Sequence, residues 1–155
     1  MTRDRDASGR PRSARPRDDL GRPLARRGHD ASPADAPALP PPAALQEAQR
    51  LIDDGHPFAA HEVLEAVWKA TAGPERALWR GLAQLAVGLT HRARGNDVGA
   101  RSLLERGADT LAAIDGTPWD IPVEQLREWA VIAAAAPERV GAMPALTSQA
   151  ADERA

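Results

Sequence analysis

The segment 76–94, RALWRGLAQLAVGLTHRAR, constrains the fold more than any other part of the chain. Read at the helical period, Leu78, Leu82, Leu85 and Leu89 form one apolar stripe, and Trp79, Ala83, Ala86 and Thr90 form the next. A helix that is apolar around most of its circumference has to be covered by other elements, which puts this one in the middle of a bundle. A third stripe reads Gly81, Gln84, Gly88, His91. Each glycine in a helix interior costs about 1 kcal/mol against alanine. Close approach of another backbone is the gain that offsets this.

The rest of the helical pattern supplies the other members of that bundle. Segment 43–54 carries Leu45, Ala48, Leu51 and Ile52 on one side and stops at Gly55. A second helix runs from Pro57, a good first helical residue, to about Thr71, where Gly73-Pro74 makes a turn. The third spans 75–94 and ends at Gly95, and Asn96 or Asp97 caps a fourth over 97–114. On that fourth helix Asp97, Arg101, Glu105 and Asp109 share an outer face. The stretch DGTPWDIP reads as a loop, and a fifth helix over 122–135 carries Leu126, Trp129 and Ile132. No strand pattern is present, so the expectation is an all-α, compact bundle of about five helices over residues 43–136. Trp79, Trp119 and Trp129 are expected as core anchors. RGNDVGARSLLERG has the look of a turn between paired helices in helical-repeat proteins, but a single copy makes no array.

Composition separates two tails from this bundle. Eight of the fourteen prolines precede Ala43, and residues 1–42 hold no phenylalanine or tryptophan, so this stretch reads as a disordered Pro/Arg-rich tail. It holds nine arginines and six aspartates, a net of +3. Residues 43–155 hold eleven basic and sixteen acidic residues, a net of −5, which gives the total of −2. The bundle therefore offers no basic face, and no nucleic-acid partner is expected. Residues 137–155 read as a flexible C-terminal tail. With no cysteine, disulfides and thiolate metal sites are excluded, which fits a cytoplasmic location. No apolar run reaches the roughly 18 residues of a membrane span, and the N-terminus has no apolar stretch of a secretory signal.

The second helix carries the chemistry. In FAAHEVLEAVW, Phe58, His61, Glu65 and Trp68 follow at steps of three, four and three and line one face, with Ala60, Leu64 and Val67 beside them. Side chains four apart on a helix have Cβ atoms roughly 5–6 Å apart, so His61 and Glu65 could grip one divalent ion such as zinc or manganese. Gln84 and His91 would complete the shell if the glycine stripe faces this helix. Glu62 would then act as general base, as in the HExxH metalloproteases. The competing interpretation is a buried polar cluster in which His61 and Glu65 bond to each other, to Gln84, Arg80 or an indole, and fix the register of two helices. A buried glutamate needs a partner in either case. His56 reads as a turn residue before Pro57, and His29 lies in the tail.

With both helices in view, FAAHEVLEAVW followed by RALWRGLAQLAVGLTHRARGNDVGARSLLERG resembles the domain of unknown function 309 family. Its members are small all-helical proteins, sometimes labelled predicted metal-dependent hydrolases. The resemblance spans about Leu45 to Ile114 and rests on Phe58, His61, Glu62, Glu65, Trp68, Gly81, Leu82, Gln84, Ala86, Gly95, Asn96, Gly99, Ala100 and Leu103. It implies the helical fold directly. The hydrolase label is itself a reading of the HE motif and adds little to it. Two functional classes stay open: a non-catalytic structural or partner-binding module that self-associates or binds another protein, and a metal-dependent hydrolase with His61, Glu65 and His91 as ligands.

Overall fold

A computed structural model describes residues 37–136 and 141–147. Five α-helices follow in order: α1 (Pro41–Asp53), α2 (Pro57–Ala70), α3 (Arg76–Ala93), α4 (Asp97–Ala112) and α5 (Val123–Ala135). A 3₁₀ turn, Pro118–Asp120, precedes α5, and no strand occurs among the described residues. The all-α bundle expected from the sequence is the fold. α1 starts at Pro41, slightly ahead of the expected start, because Pro41 and Pro42 occupy first-turn positions where a missing N–H costs nothing. Of the expected tail over 1–42, residues 37–40 are described and take no helix, and residues 1–36 lie outside the described residues.

α3 is the centre of the bundle. Leu78, Trp79, Leu82, Ala83, Leu85, Ala86 and Thr90 are all buried on it. α2 packs on one side of it and α4 on the other. Ala60, Leu64 and Val67 are the buried face of α2, and Ala44, Leu45 and Ala48 that of α1. The turns follow their punctuation. Gly55, Gly73 and Gly95 adopt φ of +83°, +78° and +75°, the left-handed region where glycine carries no Cβ penalty. Asn96 caps α4, its Oδ1 accepting from the Gly99 N–H at 3.0 Å.

α5 turns the small residues Ala130, Ala133 and Ala134, with Val123 and Leu126, towards the core and leaves Ile132 64% exposed. Two expectations are corrected. Trp119 is 44% exposed instead of anchoring the core, and its indole N–H donates to Glu75 Oε1 at 2.8 Å. Trp119 and Asp120 both take positive φ, 57° and 58°, which keeps the ring on the rim of the loop. Part of the expected C-terminal tail is packed: Met143 and Leu146 lie in the core, 6% and 1% exposed. No helical period marks that short stretch, which is why it reads as tail. Residues 137–140 and 148–155 lie outside the described residues. No helix among the described residues is long and apolar enough to cross a membrane.

Candidate functional site

The polar stripe of α2 forms as its spacing dictates. His61 Nε2 lies 3.2 Å from Glu65 Oε2, one turn on, and Lys69 Nζ lies 2.8 Å from Glu65 Oε1 after one more turn. Glu65 is thus held between two nitrogens on its own helix. The Phe58 ring sits 5.6 Å from the imidazole, centroid to centroid, at an interplanar angle of 43°. At the far end the Arg76 guanidinium stacks 5.5 Å from the Trp68 ring, joining the stripe to the first turn of α3. His61 and Glu65 keep 17% and 29% of their side-chain surface in contact with solvent. The stripe is therefore a half-buried seam, neither sealed nor open.

Burial is the main influence on His61. It pushes the imidazole below its usual range, since a charged ring loses its hydration there; Glu65 opposes the shift and Lys69 reinforces it. His61 Nδ1 and Trp68 Nε1 are buried and have no hydrogen-bond partner among the described residues. Phe58, His61, Glu62, Glu65, Ala66 and Lys69 surround a hollow of about 70 Å³, space for a few waters at most. Glu62 also lines a larger groove of about 880 Å³ between α1 and α2, whose walls include Leu39, Leu51 and Val63.

The glycine stripe makes the close approach its composition predicts, but towards α4 and not α2. A Cβ on Gly81 would stand 2.8 Å from Leu111 Cδ2, and one on Gly88 would stand 2.8 Å from Leu104 Cδ2. A Cβ on Gly107 of α4 would stand 3.3 Å from the Gly81 carbonyl oxygen, so the two backbones leave no room there for a side chain. The polar members of the stripe go the same way. Gln84 Oε1 accepts from Thr110 Oγ1 of α4 at 2.7 Å. His91 Nδ1 pairs with Asn96 Nδ2 at 3.1 Å in the α3–α4 turn. Burial pushes His91 below the usual imidazole range, and Arg94 pushes it the same way. Arg80 is solvent-exposed.

Of the expected site, the structure brings together Phe58, His61, Glu62 and Glu65 around one hollow, with Trp68 at the end of the stripe. It engages Gln84 and His91 elsewhere. No group of three His, Cys, Asp or Glu side chains converges as a metal-holding set among the described residues. A catalytic zinc site keeps three protein ligands. The donor pair His61–Glu65 does not meet that requirement, and its Glu65 is already shared with Lys69. Lys69 and Thr110 were the partners the sequence reading missed. Lys69 was legible as an i, i+4 cation, whereas nothing in the pattern of α3 signals Thr110.

Residues 45–103 match the family described as Domain of unknown function (DUF309), the family that the motifs of α2 and α3 resemble. No curated protein and no solved structure matches the chain.

Proposed function

We infer, for a chain whose residues 45–103 match the domain of unknown function 309 family, that it is a non-catalytic helical module of the cytoplasm, working through packing and protein contact. The observation that carries this reading is the allocation of donors. Glu65 is divided between His61 and Lys69, and Gln84 and His91 are engaged on the α4 side of α3. The HExxE stripe then serves to fasten α2 along its length and, through Trp68 and Arg76, to the start of α3. The apolar groove between α1 and α2 supports protein contact as the working surface. The acidic balance of residues 43–155 argues for protein over nucleic acid as partner.

The competing reading, a metal-dependent hydrolase with Glu62 as general base, requires a third ligand besides His61 and Glu65. In its favour, burial shifts His61 towards its neutral form and Glu62 borders the same hollow. A structural role for the stripe predicts that His61→Ala lowers stability by about 1–3 kcal/mol, through loss of the imidazole contacts with Glu65 Oε2 and the Phe58 ring, and that chelator leaves the melting temperature of the parent protein unchanged. Loss of stability on chelation would decide for the metal.

A further inference from the structure

Residues 141–147, Gly-Ala-Met-Pro-Ala-Leu-Thr, cross the bundle without forming a helix. Their attachment is that of a bound peptide. Two side chains enter the core, Met143 and Leu146. The backbone is read by side chains at both ends: Trp129 Nε1 donates to the Gly141 carbonyl at 3.3 Å, and the Leu146 N–H donates to Gln49 Oε1 at 2.7 Å.

Gln49 is the informative residue. It is 5% exposed, on the face of α1 that otherwise carries Ala44, Leu45 and Ala48. Its Nε2 donates to Asp53 Oδ1 at 2.9 Å, which orients the amide and leaves Oε1 aimed at the segment. A buried carbonyl oxygen without a donor is costly, so this position demands a hydrogen-bond donor from whatever occupies the slot, and the Leu146 N–H supplies it. The segment suits it. Pro144 brings no N–H that would need a partner, and its fixed φ reduces the entropy lost on ordering. Beside Met143, the slot continues into a hollow lined by Ile52, Pro57, Leu89 and Ala93. The segment lies outside residues 45–103, so it belongs to this chain and not to the family match.

We propose that the slot over α1 and α5 is a peptide-docking site with Gln49 as its recognition residue, that residues 141–147 are its resident occupant, and that it accepts the same segment from a second copy of the chain. This deepens the partner-binding reading, and it is tested without reference to metal, so its failure and that of the metal-free reading are separate events. In cis the segment competes at an effective concentration on the order of millimolar, so exchange requires that it open without unfolding the bundle.

The test titrates the full chain with a dye-labelled peptide copying residues 141–147. The Leu146→Asp chain, whose own segment can no longer seat, should bind the peptide at least tenfold more tightly than the parent. A peptide with its leucine replaced by aspartate should bind neither, and adding Gln49→Ala to Leu146→Asp should abolish binding. Equal affinity of the parent and Leu146→Asp chains, or retained binding of the aspartate peptide, would overturn the proposal. Hydrogen exchange on the parent protein gives a second measurement that needs no variant. The Leu146 amide should exchange faster than the amides of Leu82 and Ala83 in α3. If it exchanges only with them, the segment opens only on global unfolding and the proposal fails.

Discussion

Gly81→Ala offers a sharp test of how α3 and α4 meet. On an open helix face the change would stabilise the protein by up to about 1 kcal/mol, since alanine is the better helix former. Here the new methyl would stand 2.8 Å from Leu111 Cδ2, 3.0 Å from its Cγ and 3.4 Å from Thr110 Cγ2. Leu111 is 1% exposed, so it cannot swing out to solvent without giving up its burial in the core. Overpacking of this kind costs about 1–3 kcal/mol, so the net effect is a loss of roughly 0–2 kcal/mol. In a Leu111→Ala background the two closest contacts vanish, and the next is the ordinary contact with Thr110. There Gly81→Ala should recover its helix-propensity gain. The coupling energy from urea melts of the four proteins is then about 1–3 kcal/mol, well above the roughly 0.3–0.5 kcal/mol of independent sites. Additive effects, or a plain stabilisation by Gly81→Ala alone, would refute the packing described for the glycine stripe.

The remaining predictions concern titration, capping and the tail. Burial lowers both His61 and His91, so the unfolded chain, with imidazoles near 6.5, takes up protons first. Their contribution to stability is fully present above about pH 6.5 and is lost as pH falls from there towards the folded values; His61→Gln should flatten that slope in denaturant melts at pH 7.5 to 5. Asn96→Ala removes the side chain that accepts from the Gly99 N–H and should cost about 0.5–2 kcal/mol by thermal or urea melting, and an unchanged melt would show that the cap contributes nothing. Deleting residues 1–36 should leave the melting temperature within a few degrees, given that 1 kcal/mol moves a domain of this size by roughly 2–8 °C; a larger drop would mean that the deleted segment packs.

How much of this was legible in the sequence depended on whether the signal was local. The helix boundaries, the glycine turns and the Asn96 cap are fixed by neighbouring residues, and the structure has the boundaries within two residues of where the pattern puts them. The α2 stripe is likewise an i, i+3, i+4 matter, and His61 meets Glu65 for that reason alone. Which neighbour a stripe of α3 faces is not local. Gly81, Gln84, Gly88 and His91 share one face in any helix, but only the complementary shape of Leu104, Gly107 and Leu111 turns that face to α4. Trp119 departs from its expected place in the core because the sharp turn at Pro118–Asp120 leaves the ring outside. Met143 and Leu146 offer no periodicity, and the backbone of Leu146 is held by Gln49, nearly a hundred positions earlier in the chain.

The central claim is that the His61–Glu65 stripe is a structural pairing and not half of a metal site. Elemental analysis of protein purified without a histidine tag, followed by calorimetric titration with zinc and with manganese at micromolar protein, tests it most directly. Two donors on one helix, with Glu65 already engaged by Lys69, fall short of the three protein ligands a catalytic zinc keeps. The account predicts no stoichiometric metal in the purified protein and no saturable heat on titration. One equivalent of zinc or manganese, retained on purification or bound on titration, abolished by His61→Ala and by Glu65→Ala, and weakened as pH falls through the histidine range, would contradict it.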